Sequence, residues 1–111
     1  MAALTGGGNQ GSLSGLTHVE LVATPGAGVF RMIRALYINH TDSATVILHM
    51  AKKVGGNEYQ FHSQLLCQGY TVEFGDGDSV ILTAGESLVA WLDSAPVTNP
   101  TFVVSYGDKN P

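Results

Sequence analysis

Charge is what this chain has least of. Its 111 residues hold five Lys and Arg against nine Asp and Glu, 13% charged in all, about half of the ~25% usual for a soluble domain. The five cations, Arg31, Arg34, Lys52, Lys53 and Lys109, are scattered. They form no basic stripe of the kind that neutralises phosphates, so nucleic acid is not an expected partner. A single cysteine, Cys67, excludes an intrachain disulfide and a cysteine zinc cluster. It stands in the apolar run Leu65-Leu66-Cys67, where a buried, inert thiol is expected, in keeping with folding in a reducing cytoplasm. No apolar run approaches the ~18 residues of a membrane helix, so no membrane partner is expected. The first residues lack the basic start and apolar centre of an export signal, because Gly6-Gly7-Gly8 arrives almost at once. A soluble product made in the cytosol is the expectation.

What is present is strand chemistry. Val80-Ile81-Leu82-Thr83-Ala84-Gly85-Glu86-Ser87-Leu88-Val89-Ala90-Trp91-Leu92 reads as strand, Gly turn, strand. A loop carrying Pro96 and Asn99-Pro100 follows, then Phe102-Val103-Val104-Ser105-Tyr106, with no spare length for a helix. Upstream, residues 16–23 read as a strand, with His18, Glu20 and Val22 on one face and Val19 and Leu21 on the other. Thr24-Pro25-Gly26-Ala27-Gly28 is a turn. Residues 29–39 satisfy both periods: Val29, Met32, Ile33, Leu36 and Tyr37 have helical spacing, while Phe30, Met32, Leu36 and Ile38 have strand spacing interrupted by Arg34. Strand is preferred, because no good N-cap precedes the segment and it runs straight into the turn cluster Asn39-His40-Thr41-Asp42-Ser43. Val46, Leu48 and Met50 then alternate on a return strand. Glu58 to His62, with Tyr59 and Phe61 facing one way, and Tyr70 to Phe74 complete the series.

About eight strands at a spacing of roughly 8–12 residues mark an all-β fold. The expectation is a single-domain antiparallel β-sandwich, jelly-roll-like, over residues 16–111. Residues 1–15, rich in Gly, Ser, Asn and Gln, cannot bury enough apolar surface to fold alone and read as an extended arm ordered by a partner.

No motif for chemistry emerges, and neither catalysis nor a cofactor is expected. Four histidines, His18, His40, His49 and His62, lack the helical spacing of a hydrolytic zinc site, and scattered histidines on half-exposed strands explain them. A cupin-like metal site would require His18, His49 and His62 to converge from three strands. Gly75-Asp76-Gly77-Asp78-Ser79 resembles the start of a calcium loop but lacks the closing Glu, and turn chemistry accounts for it. No serine stands in a Gly-x-Ser-x-Gly elbow. Glu86 reads as a turn carboxylate facing solvent. Trp91 points away from the face of Ala90 and Leu92, either as half of a two-sided core or as an interface anchor, with core packing preferred. Leu4, Leu13 and Leu16 on the arm and its junction, together with Trp91 and Tyr106, are the candidate partner contacts.

Residues 16–106 resemble a family of small β-sandwich virion proteins of tailed bacteriophages. The resemblance lies in Leu36-Tyr37-Ile38-Asn39-His40-Thr41, in the Ser43-Ala44-Thr45-Val46 return, in the hairpin from Val80 to Leu88, and in Val103-Val104-Ser105-Tyr106. The family's hairpin is similar to Leu-x-Ala-Gly-Asp-Ser-Leu, with Glu86 here in place of Asp; the Gly-rich arm lies outside the shared pattern. The resemblance implies a non-catalytic structural subunit of the virion, made in the host cytoplasm. It would be a capsid decoration (cement) protein docked on the major capsid protein, or a neck or tail accessory protein. A homo-oligomer, with a trimer favoured, would be its state. A carbohydrate-binding sandwich stacking sugars on Trp91, Tyr70 and Tyr106 is the competing expectation.

Overall fold

Apolar residues that recur at every second position can be buried only if each strand lays one face on a second layer. The computed structural model, which describes residues 5–74 and 80–110, builds two such layers. The strands are β1 (Thr5–Ser12), β2 (Val19–Val22), β3 (Phe30–His40), β4 (Val46–Val54), β5 (Asn57–Leu66), β6 (Tyr70–Phe74), β7 (Ile81–Leu82), β8 (Glu86–Leu92) and β9 (Thr101–Lys109). One sheet has the order β1-β9-β3-β6, with the short β7 also on β3; the other has the order β2-β8-β4-β5. Antiparallel partners are nested along the chain: β1 with β9, β2 with β8, β3 with β6 and β4 with β5. One long hairpin rolled into two sheets has this pattern, which is a jelly roll.

The core lies between the sheets. Leu36, Ile38, Phe102 and Val104 from the first sheet meet Leu48, Met50, Leu88, Ala90 and Leu92 from the second. Fully burying one such large side chain contributes roughly 1.5–3 kcal/mol. The mixed periodicity of residues 29–39 has a simple cause. Pairing of β3 with β9 shifts register between Ile33 and Ala35, so a bulge at Arg34 places Ile33 and Leu36, three apart, on the same inner face. A second bulge, between Glu20 and Val22, buries Leu21 and Val22 together and removes Val22 from the face of Glu20, which corrects the alternation expected for that strand.

The largest correction concerns residues 1–15. Thr5–Ser12 are extended, but they pair with β9 of the same chain from Thr5↔Asp108 to Ser12↔Thr101 without a shift. This segment is the first strand of the jelly roll, so the boundary at residue 15 does not separate an arm from a sandwich. Its glycines serve close approach: a Cβ on Gly7 would stand 2.6 Å from the Tyr106 ring, and one on Gly11 would stand 3.2 Å from the Phe102 ring. Backbone hydrogen bonds to β9 and two aromatic rings laid against bare backbone thus hold a stretch whose composition lacks a core of its own. Asn9 Nδ2 donates to the Leu21 carbonyl at 3.0 Å and ties β1 to the opposite sheet.

Polar contacts of Glu86 and Asp42 fix two turns, and an ion pair ties β3 to β9. Glu86 is not the solvent-facing carboxylate expected: it accepts from the Thr83 N–H at 2.9 Å and pairs with Lys52 Nζ at 3.0 Å. Those bonds hold its carboxyl below the ordinary range. Asp42 accepts from the N–H groups of Ala44 and Thr98, both at 2.7 Å, joining the β3–β4 turn to the loop before β9 and lowering its own pKa. Arg31 donates to both oxygens of Asp108, at 2.8 and 2.9 Å, and its guanidinium lies 4.2 Å from the centre of the Tyr106 ring. Cys67 is exposed in the turn after β5, not buried; the strand's inward alternation ends at Leu66.

Candidate functional site

The candidate site is the outward face of the four-stranded sheet, centred on Trp91. Leu88, Ala90 and Leu92 of β8 enter the core, so Trp91 must point outward. Because β8 lies between β2 and β4, neighbours reach Trp91 from both sides. His18, the residue before β2, stacks on the indole with ring centres 3.9 Å apart and planes 7° from parallel. His49 of β4, directly opposite Trp91 in the register, stacks at 5.4 Å and 21°. Trp91 is consequently half-buried between two imidazoles, in a second apolar centre outside the main core.

β5 completes this centre. The β4–β5 ladder shifts at Met50/Ala51, leaving Phe61 as the extra residue, and such a bulge bends a strand. Beyond the bend, Gln60 Nε2 donates to His49 Nδ1 at 3.2 Å, and both oxygens of Glu58 lie 2.8–2.9 Å from His18 Nδ1. β2 and β5 are opposite edges of the sheet. Three strand spacings would separate them by about 14 Å in a flat sheet, beyond the reach of a His–Glu pair. The sheet therefore coils over its own outward face. This explains why Ala51 and Val89, which pair with each other on that outward face, are buried without belonging to the main core.

Chemically, the arrangement offers two imidazoles stacked on an indole and one carboxylate that accepts a hydrogen bond from His18 Nδ1. It brings together His18 and His49 but not the other two histidines. His62 donates toward Gln64 Oε1 at 2.9 Å and meets Phe74 edge-on, and His40 is buried with Nε2 2.6 Å from the Ala44 carbonyl. Among the described residues no three His, Cys, Asp or Glu side chains gather as metal ligands. The convergence that a cupin-like site requires is replaced by stacking.

The five expected partner contacts do not form one surface. Leu16 is 63% exposed and available. Leu13 is 1% exposed and part of the chain's own core, so it is corrected from partner contact to core residue: the Leu13 N–H donates to the Pro100 carbonyl, which carries its side chain inward. Tyr106 is half-buried, packed on the core beneath Arg31 and against Gly7. Trp91 is half-buried as described, and Leu4 lies outside the described residues, as does the calcium-like segment from Gly75 to Ser79. Tyr70 opens β6 in the other sheet, so the three aromatic residues considered for sugar stacking are not on one face. Sequence reasoning missed His18, His49, Glu58 and Gln60 as a group. The outward parity of His49 and Trp91 was readable, but not the fact that β8 sits between β2 and β4.

No protein-family model matches the chain, and no curated protein matches it in sequence.

Proposed function

We propose that the chain is a non-catalytic structural subunit of a tailed-bacteriophage virion, a capsid decoration protein that docks on the shell of major capsid protein and stabilises it. The observation that carries this reading is the pairing of a charge-poor surface with exposed apolar side chains. Tyr59, Phe61 and Leu65 stand exposed along the edge strand β5, with Val54 at the hairpin before it. Tyr37 and Val103, directly paired, are exposed on the outward face of the other sheet. Exposed apolar side chains of this kind, which the chain's own core leaves uncovered, are what a docking subunit covers on its partner. The motif resemblance over residues 16–106 supports the same reading.

The test is native-mass and co-sedimentation analysis of the purified protein with expanded capsids, and separately with tails, of its source particle. Saturable, stoichiometric binding to capsids is expected. Binding to tails alone would assign the chain to the neck or tail instead, and a protein that co-sediments with neither would end the virion reading.

A further inference from the structure

The four sheet edges are finished differently. β2 is four residues long and bulged; β6 is five residues long and carries Glu73; β5 is bulged and carries Glu58. Short length, bulges and charge are the devices that stop an edge from pairing with another chain. β1 has none of them. It runs eight residues in unbroken register, without a charged residue or a proline.

Its hydrogen-bonding groups without a partner among the described residues follow from the register. The Leu13 N–H donates to the Pro100 carbonyl at 2.8 Å, in the same register that pairs Ser12 with Thr101. An antiparallel ladder alternates, so Gly11, Asn9 and Gly7 also turn toward β9, while Ser12, Gln10, Gly8 and Gly6 turn their N–H and C=O groups away from it. Gly6 adds a second observation. A Cβ there would meet no atom of the described residues within 4 Å, so their packing does not require that glycine, in contrast to Gly7 and Gly11.

We propose that β1 is the pairing strand of a two-fold homodimer, antiparallel to β1 of a second copy, so that one sheet runs continuously through both molecules. With Gly6 opposite Ser12 and Gly8 opposite Gln10 of the second copy, about an axis at Asn9, every outward group of both strands is paired. Identical strands satisfy a two-fold axis by construction. Charge also selects this edge. Each copy carries a net charge of −4, yet β1 itself has no ionisable side chain and the Asp108 opposite Thr5 is neutralised by Arg31, so little repulsion acts where two copies would meet at this edge. This inference does not depend on the virion reading, and its two-fold geometry differs from the trimer expected from the sequence.

The experiment is sedimentation of the full chain across a concentration series, beside Gln10→Pro, Gly6→Lys and Gln10→Ala. Proline at position 10 removes an N–H aimed at the second copy without touching the β9 ladder, and lysine at position 6 enters open space. Wild type and Gln10→Ala are expected to dimerise, with the amides of Gly8 and Gln10 exchanging more slowly as concentration rises. Gln10→Pro and Gly6→Lys are expected to remain monomeric with the Trp91 emission of the folded chain. Should Gln10→Pro fail to fold, Gly6→Lys carries the test. A wild type that is monomeric throughout, a trimer, or variants that associate as wild type does would overturn the proposal.

Discussion

β1 and β5 are both long strands at a sheet edge, and they offer a neighbour opposite things. β5 presents side chains: Tyr59, Phe61 and Leu65 are exposed, while its bulge and Glu58 fold it back over Trp91. β1 presents backbone, because its residues beyond Thr5 are Gly, Asn, Gln and Ser and its inward contacts are with the rings of Tyr106 and Phe102. The difference separates two ways for a small sandwich to enter an assembly. Exposed apolar side chains suit docking on a surface of matching shape, whereas a bare edge suits another strand. On the two proposals above, the chain would bind itself through β1 and a shell through the side chains of β5.

The largest break in this comparison is deletion of residues 1–12. Loss of β1 strips the ladder from β9 and uncovers Phe102 and Tyr106. For a domain whose total stability is about 5–15 kcal/mol, the truncated chain is expected to lose its cooperative melt, followed by emission of the single tryptophan, Trp91. Melting close to the full-length midpoint would return the segment to the status of an arm.

A middle-sized effect comes from the ion pair beside β1. Arg31 hydrogen-bonds to Asp108 and holds its carboxyl below the ordinary carboxylate range. A carboxyl depressed on folding contributes stability that is fully present above its unfolded value near ~3.9 and is lost as pH falls through the lower folded value. Asp108→Asn is expected to cost about 1 kcal/mol at neutral pH and to flatten the decline in denaturation midpoint below about pH 4. An acid limb as steep as that of wild type would show that this pair does not set it.

The smallest effect on stability belongs to β5. Phe61→Ser removes an exposed ring at a bulge, so the unfolding midpoint is expected to move by no more than about 0.5 kcal/mol. The same substitution should weaken co-sedimentation with capsids. Unchanged docking would move the shell-binding surface away from β5.

The places where reading the sequence stopped short have common causes. Each bulge inserts one residue and turns a period of two into a local spacing of three or one, as at Ile33 and Leu36 or at Leu21 and Val22. β1 was hidden for a different reason. Its stability comes from β9, which lies almost at the other end of the chain, and a Gly-rich strand has no alternation to announce it. The Trp91 stack required three strands to be placed side by side, and Glu58 could join it only once the sheet had coiled.

Residue order alone determined the class of the fold. Turn residues spaced along the chain and alternation in Val46-Leu48-Met50, Leu88-Ala90-Leu92 and Phe102-Val104 leave no arrangement but strands with one face buried, because local sterics and the need to hide apolar area act within a few residues. Only the tertiary structure decided which strands are neighbours. It made residues 5–12 part of the sandwich, put Leu13 in the core, exposed Cys67 and set two histidines against Trp91. Strand pairing is sealed by backbone groups that every residue carries, across separations of up to the whole chain, so the pairing leaves little trace in the side chains that a sequence displays.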